Sequence, residues 1–262
     1  MVKRILTRGY LGVILAFLYA PIAVLVAFSF NSIRSMSKWG GFSLKWYIEL
    51  FQNDTIMNAL WVTVSVAVIA ALVATVLGTM AAIGIHSFRR RTQNVVLNMT
   101  YLPILNPDIV TGISLMLLFL FIGLPRGYFT LVLAHITFNI PYVILAVLPK
   151  LRQMDSNLYE AALDLGASPS YALRRVILPE IMPGIITGAL LSLTLSLDDF
   201  VISLFTQTGS ANISILVYSM ARRSINPQIN ALSTLLFVVV VVLLFTVNRR
   251  SNKDKTKKES AL

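Results

Sequence analysis

The 262-residue sequence contains no cysteine, which excludes disulfide bonds, thiolate catalysis and metal sites with sulfur ligands. Its two histidines, His86 and His135, lie far apart, and neither has a neighbour at metal-ligand spacing. A hydrogen-bonded packing role is expected for His135. The chain also lacks a Gly-rich phosphate loop followed by Lys and Ser or Thr, so it is not expected to hydrolyse nucleotide. From these absences, the chain is expected to be neither an enzyme nor a metalloprotein.

Charged residues are scarce, at 13% of the chain, whereas hydrophobic residues make up 56% and the mean hydropathy is +0.77. A soluble domain usually carries about 25% charged residues. Six apolar windows are long enough to cross a membrane as helices, near residues 10–30, 60–85, 97–122, 128–148, 183–206 and 229–248. The sequence therefore predicts an all-α integral membrane protein with six transmembrane helices. The first is expected to be retained, because it is too long for a cleaved signal peptide.

The basic residues predict the orientation of these helices. With both termini in the cytoplasm, most of the 22 Lys and Arg residues fall in cytoplasmic segments, including Arg89–Arg91 and the run from Arg249 to Lys258. Anionic lipid and membrane topology then explain the net charge of +11 without nucleic acid. Both termini and the polar segment at residues 150–182 are therefore expected in the cytoplasm.

That polar segment has the pattern of two helices joined by a turn. Asn157 is expected to cap a short helix with Glu160 at its third position, and Gly166 to end it. Ser168 and Pro169 then start a second helix. A DNA-binding helix-turn-helix is the alternative, but the flanking spans leave no room for a third helix. The segment is interpreted as a docking element for a soluble partner.

The same segment resembles the signature of the type I ABC importer permeases. Glu160-Ala161-Ala162 is followed after three residues by Gly166, and after nine more by Val176-Ile177-Leu178-Pro179, in which Val176 replaces the usual Ile. The resemblance implies the MetI-like permease fold. It also implies that residues 155–180 dock into a separate ATP-binding subunit. Leu178-Pro179 is expected to close the loop just before the next span.

The resemblance also divides the chain into regions. Residues 1–57 would hold the N-terminal transmembrane helix and an outer loop, residues 58–248 a core of five helices with the coupling loop at 150–182, and residues 249–262 a basic cytoplasmic tail. No soluble second domain is expected. In the outer loop, Trp39, Trp46 and Tyr47 are interpreted as interfacial anchors, with contact to a delivery protein as the alternative.

Three carboxylates fall inside the predicted spans. Asp108 lies near the middle of the third span, and Asp198 and Asp199 lie slightly outward of the middle of the fifth. A carboxylate there costs about 3 kcal/mol on insertion scales, which a water-filled path, protonation or a cationic partner would offset. On a continuous helix, Asp198 and Asp199 would point about 100° apart. Asn106-Pro107 predicts an interruption beside Asp108.

These acids favour a cationic cargo, because no Lys or Arg falls in either span and an anion would be repelled. A polyamine fits best, since its ammonium groups are spaced by methylene segments. Phe200, Phe205 and Tyr218 are candidates to cover those segments, although packing against lipid or other helices is the alternative for each. The three aspartates are therefore predicted to line a substrate path.

Three further runs, at residues 106–110, 135–139 and 195–199, resemble the spermidine/putrescine branch of that permease family. The resemblance implies a heterodimer with a second permease, two copies of a cytoplasmic ATPase that binds ATP and Mg, and an extracytoplasmic polyamine-binding protein. It places the chain in the bacterial inner membrane, with no cofactor or metal of its own and no nucleic acid partner. Two alternatives stay open. One is an ABC permease for another small cation, and the other is a proton- or sodium-coupled secondary transporter that uses the aspartates as ion sites.

Overall fold

A computed structural model of the chain describes residues 2–35, 37–155, 157–209, 212–223, 227–238 and 241. The chain divides into two compact units, one of residues 1–57 and 217–262 and the other of residues 58–216. The described helices are α1 (Val2–Ser29), α2 (Lys45–Phe51), α3 (Asp54–Ser87), α4 (Arg90–Leu105), α5 (Asp108–Phe121), α6 (Tyr128–Gln153), α7 (Asn157–Asp164), α8 (Pro169–Ala172), α9 (Leu178–Asp198), α10 (Val201–Thr206), α11 (Ile213–Arg223) and α12 (Pro227–Val238). A π-helical turn, Leu173–Ile177, joins α8 directly to α9.

Four described stretches of helix are long and apolar enough to cross a membrane. They are the Gly9–Ser29 part of α1, α3, α6, and the continuous helix Pro169–Asp198 that α8, the π-helical turn and α9 form together. α4 and α5 together make a fifth candidate. The window predicted at 229–248 begins in α12, and most of its remainder lies outside the described residues, as does the tail at 249–262. The all-helical membrane fold is confirmed, and the sixth crossing stays a prediction.

Two of the predicted spans are interrupted in the structure. α4 and α5 are separated by a 102° bend at Asn106 and Pro107, whose ψ angles are 141° and 137°. This is the interruption that Asn106-Pro107 predicts. The span predicted at 183–206 is also broken, because α9 ends at Asp198 and Asp199 has a ψ of 126°. The expectation of Asp198 and Asp199 on one continuous helix is therefore wrong, since Asp199 turns the chain into the separate helix α10.

In the unit of residues 58–216, small residues bring α9 close to α6. They repeat every four positions along α9, are all buried, and consist of Gly184, Gly188, Ser192 and Ser196. Residues four apart share one face of a helix, and small side chains on that face let two backbones approach each other. A methyl group added at Gly188 would lie 3.2 Å from both Cα and Cγ1 of Val143 on α6.

Val143 also contacts α3, so that three helices meet at this residue. A methyl group added at Gly78 on α3 would lie 2.7 Å from Cβ and Cγ1 of Val143. Val143 is fully buried, and the core around it includes Ala74 on α3, Val147 on α6 and Ile181 on α9. α3, α6 and α9 therefore share one apolar core.

The helices that follow the two breaks pack against each other. A methyl group added at Gly112 on α5 would lie 3.4 Å from Cα of Ile202 on α10. Ile202 is fully buried and shares an apolar cluster with Phe119 of α5 and with Ala134 and Phe138 of α6. This packing holds α5 and α10 in place although each is separated from the helix before it.

In the other unit, the segment after α1 folds around Asn31 and Trp46. The Asn31 amide donates to the carbonyl oxygens of Ser35 (2.9 Å) and Lys38 (2.8 Å), and its Oδ1 accepts the N–H of Gly40 (2.7 Å). Trp46 donates its Nε1–H to the carbonyl of Asn31, and its side chain is 1% exposed. The interpretation of Trp46 as an interfacial anchor is wrong, because its ring forms the core of this segment.

Candidate functional site

The loop predicted to dock a partner is built from α7, a turn and α8. α7 ends with two hydrogen bonds, from the N–H of Ala167 to the carbonyl of Ala162 (3.1 Å) and from the N–H of Gly166 to the carbonyl of Leu163 (2.9 Å). Gly166 has a φ of +84°, in the left-handed region that glycine adopts at little cost. The predicted helix end at Gly166 is confirmed.

The two helix starts in this loop differ in how well they were predicted. Ser168 caps α8 as expected, since its Oγ accepts the N–H of Tyr171 (3.3 Å) and Pro169 occupies the first helical position. Asn157, in contrast, is the first residue of α7 and donates its N–H to Oδ1 of Asp155 (3.0 Å). The prediction of Asn157 as the cap is wrong, because Asn157 already lies in the helix and its own N–H is bonded to the side chain two residues upstream.

The second helix of the loop does not end at Leu178-Pro179. It continues through the π-helical turn into α9, and the helix is unbroken from Pro169 to Asp198. Pro179 is accommodated because it directly follows the π-helical turn, where the hydrogen-bond pattern of the helix is already irregular. The expected closure at Leu178-Pro179 is therefore wrong. The loop and the acidic pair Asp198-Asp199 instead lie at opposite ends of one helix of 30 residues, about 45 Å long.

The end of α7 and the start of α8 present an exposed surface. Leu165 is 89% exposed and Tyr171 is 58% exposed, and Glu160 and Ala161 are exposed beside them. An open pocket lies on this surface, lined by Ala162, Leu165, Gly166, Ala167, Ser168, Tyr171 and Val176. Apolar side chains exposed at a loop between two spans are typical of a protein contact.

Two of the three predicted intramembrane acids are exposed at the helix breaks. Asp108 is the first residue of α5, directly after the bend, and Asp198 is the last residue of α9. Among the described residues, neither carboxylate has an ion-pair partner. Both can therefore attract a cation that is not part of the described chain.

Asp199 is held inside the protein, with a side chain that is 7% exposed. Its Oδ2 accepts the N–H (2.8 Å) and the hydroxyl (2.7 Å) of Ser203, and its Oδ1 accepts the N–H of Ile202 (3.2 Å). The carboxylate thus caps the N-terminus of α10, where the helix dipole favours negative charge. Nε2 of His135 lies 3.4 Å from Oδ2. This arrangement was not predicted from the sequence, although an acid two residues before a short apolar helix is a helix-start signal.

The aromatic candidates lie in different surroundings. Phe205 of α10 packs against α5, since its Cδ2 would lie 3.1 Å from a methyl group added at Gly112. Phe200 is half-buried at the start of α10. Tyr218 belongs to the other unit, where the Arg222 guanidinium lies 5.5 Å from the centre of its ring. Phe200 and Phe205 therefore lie on the segment that follows the acidic break, whereas Tyr218 lies in the other unit.

Comparison with known proteins identifies the family. The family described as "Binding-protein-dependent transport system inner membrane component" matches residues 74–250. The chain is 40% identical to the spermidine/putrescine transport system permease protein PotC of Escherichia coli K12, over 98% of this chain and 97% of that protein. It is 44% identical to the putrescine transport system permease protein PotI of the same strain, over 87% and 84%. The chain belongs to this family of permeases.

Solved structures support the fold of the permease. A subunit of a bacterial ABC transporter that imports alginate matches with a TM-score of 0.71 at 20% identity, over 95% of this chain and 97% of that one. A chain of the MetNI methionine ABC transporter matches with a TM-score of 0.62 at 18% identity, over 80% and 97%. At these identities the likeness concerns the fold alone. The predicted MetI-like permease fold is confirmed.

Family membership makes the permease an inner-membrane component of a transport system that works with a binding protein. Its fold is that of the ABC transporter subunits with which it aligns. The predicted inner-membrane location and the predicted role as a transport subunit are confirmed. The alternative of an ion-coupled secondary transporter has no support from the family.

Proposed function

We propose that this permease imports polyamines, spermidine or putrescine, as one subunit of an ATP-driven importer. The observation that carries the proposal is the pair of exposed carboxylates, Asp108 and Asp198, at two helix breaks within a chain 40% identical to a spermidine/putrescine permease. A polycation offsets the cost of such carboxylates in the membrane, whereas an anion is repelled by them. Phe200 and Phe205, on the segment that follows the second break, are candidates to cover the methylene segments of the cargo.

Asp199 contributes to this path by shaping the break between α9 and α10. Tyr218 is a further candidate for cargo contact. The path lies in the region of residues 58–248, which we assign as the transport core, with residues 1–57 as an additional helix and outer loop and residues 249–262 as a basic tail. The cargo must be held weakly along the path, because a site that binds a polycation tightly does not release it.

We further propose that the loop at residues 150–182 couples the permease to the ATPase. Its exposed surface supplies the contact residues, which are Glu160, Ala161, Ala162 and Gly166, with Leu178 and Pro179 at the base of the following helix. A displacement of this loop reaches the acidic break directly, because the helix is unbroken from Pro169 to Asp198. ATP-driven closure of the ATPases therefore moves the loop and the acidic break together, because they lie at the two ends of one helix.

The complete importer, in this proposal, contains a second related permease, two copies of a cytoplasmic ATPase that binds ATP and Mg, and an extracytoplasmic polyamine-binding protein. The PotC and PotI relatives are both named as permease proteins of polyamine transport systems, which supports the cargo. The family's description as binding-protein-dependent supports the delivery protein.

The test is uptake of labelled spermidine and putrescine by cells that lack their own polyamine importers and express this permease with its genomic neighbours. Saturable uptake that falls at least about tenfold in the Asp198→Asn permease, at equal abundance in the membrane, is the expected result, because a charged contact is lost. If the assembled set imports no polyamine, the cargo assignment is overturned. Uptake of other small organic cations by that set would then favour a permease for another cation.

A further inference from the structure

A cluster of buried polar side chains lies beside the break between α9 and α10. It joins α6, the end of α9, α10 and the segment before α11, and consists of His135, Asn139, Ser196, Asp199, Ser203 and Asn212. We name this set the His135 cluster. All six residues belong to the unit of residues 58–216, and five of them are less than 4% exposed, Asp199 being the exception. Such a cluster inside a membrane protein costs free energy unless its members bond to one another.

His135 uses both ring nitrogens in this cluster. Nδ1 lies 3.1 Å from Oγ of Ser196 on α9, and Nε2 lies 3.0 Å from Oγ of Ser203 on α10 and 3.4 Å from Oδ2 of Asp199. From the other side, the Asn212 amide donates to Oγ of Ser203 (2.8 Å) and to the carbonyl of Asp199 (3.3 Å). The imidazole thus joins the helix before the break to the helix after it.

The geometry of Asp199 couples this ring to its exposed neighbour. The Asp199 carboxylate cannot turn outward without losing three hydrogen bonds from α10 and its contact with His135. Asp198 is the adjacent residue and is exposed. Because the two side chains extend from one short backbone segment, holding one inside the protein sets the direction of the other.

We propose that His135 is a positioning residue for transport, which holds Asp199 across the start of α10 and thereby directs the Asp198 carboxylate out of the fold. The inference rests on the proposed function in that Asp198 is the cargo contact. His135 itself does not contact the cargo in this proposal. Its effect on transport is therefore expected to pass through Asp198 and to vanish when Asp198 is already neutral.

A double-mutant cycle tests this dependence. His135→Asn keeps a polar atom at the Nδ1 position but none that reaches Asp199, whereas the longer His135→Gln can donate at the Nε2 position. We expect the maximal uptake rate to fall about tenfold in His135→Asn, with the half-saturating concentration unchanged, and to recover in His135→Gln.

In an Asp198→Asn background, His135→Asn should cause no further loss of uptake. Rates are normalised to membrane abundance, and His86→Gln, at the exposed end of α3, is the control.

Losses that multiply in the double variant would overturn the proposal, because they would show a structural role independent of Asp198. Parental uptake by an abundant His135→Asn permease would overturn it as well.

Thiol labelling provides a readout that needs no cargo, since the chain has no cysteine. Asp198→Cys should react with a polar maleimide, and about tenfold more slowly when combined with His135→Asn, because release of Asp199 turns residue 198 towards α6. Equal labelling rates in both backgrounds would overturn the positioning role. A cargo assignment that fails leaves this labelling result intact, so the two failures are distinguishable.

Discussion

At the scale of single residues, two adjacent aspartates have opposite surroundings. Asp198 is exposed at the end of α9, whereas the Asp199 side chain is 7% exposed and caps α10. A buried carboxylate that accepts several hydrogen bonds contributes to stability, while an exposed one is available for binding. We therefore propose Asp198 for contact with the cargo and Asp199 for support of the fold.

This difference predicts opposite effects of the same substitution. Asp199→Asn should lower the free energy of unfolding by about 1–2 kcal/mol, because the amide is a weaker acceptor for the N–H groups of α10 and is uncharged. Asp198→Asn should change stability by less than about 0.5 kcal/mol while it reduces uptake. Thermal unfolding of the detergent-solubilised permease, followed by tryptophan fluorescence, measures both. Equal losses of stability would contradict the separation of roles.

Glycine contacts on α3 give a second prediction at this scale. Gly78→Ala should destabilise the permease by about 1–3 kcal/mol, because the added methyl group would lie 2.7 Å from Val143. Gly84→Ala, six residues along the same helix, meets no atom within 4 Å and should be neutral or slightly stabilising. Melting temperatures of the two variants test the difference. Adding Val143→Ala to Gly78→Ala should recover part of the stability lost in Gly78→Ala. Equal melting temperatures for Gly78→Ala and Gly84→Ala would contradict the close approach of α3 and α6.

At the scale of secondary structure elements, the coupling loop and the acidic break share one helix. The π-helical turn at Leu173–Ile177 joins α8 to α9 without a break, so the short helix of the loop continues into the membrane. The turn before it depends on Gly166, whose φ of +84° sets the angle between α7 and α8. The direction in which the loop surface faces therefore depends on one left-handed residue.

Substitutions at Gly166 should separate backbone strain from steric conflict. An added methyl group meets no atom within 4 Å, so Gly166→Ala acts through the left-handed backbone alone and costs about 1–2 kcal/mol. Gly166→Asn should be milder, because asparagine tolerates this conformation. We expect Gly166→Ala to lower both uptake and cargo-stimulated ATP hydrolysis of the assembled importer, with Gly166→Asn intermediate. An assembled Gly166→Ala importer with parental uptake would contradict the docking role of the loop.

At the scale of the whole molecule, much of the apolar surface lacks a partner within the described chain. The most apolar window of the α1 span Gly9–Ser29 has a mean hydropathy of 2.6 and no buried residue. α5 exposes apolar side chains as well, with Phe121 90% exposed. Surfaces of this kind are stable in hydrocarbon or against another membrane subunit, which agrees with an inner-membrane component of a larger complex.

The predicted orientation in the membrane can be tested with single cysteines, because the parent chain has none. Ser37→Cys lies in the outer segment and Ser170→Cys in the coupling loop, and both positions are exposed. With both termini in the cytoplasm, an impermeant maleimide should label only position 37 in intact spheroplasts and both positions after permeabilisation. Labelling of position 170 in intact spheroplasts would reverse the orientation and remove the coupling loop from the cytoplasm.

Composition and spacing along the chain are sufficient to predict the membrane class and most of the helices, and the resemblance of short motifs to a known signature predicts the permease family. Apolar windows of sufficient length, the turn at Gly166 and the break at Asn106-Pro107 all depend on residues close together in sequence. These features need no knowledge of distant contacts, because helix propensity, helix ends and proline effects act within a few residues.

Contacts between distant residues account for most of what was missed. Asp199 is buried because Ile202 and Ser203 of α10 donate hydrogen bonds to its carboxylate and His135 lies beside it. Trp46 is buried because the segment after Asn31 folds around its ring. The continuity of α8 with α9 likewise depends on a π-helical turn held by packing around Ile177. Local patterns cannot specify these outcomes, since burial and pairing free energies arise only when separate elements meet.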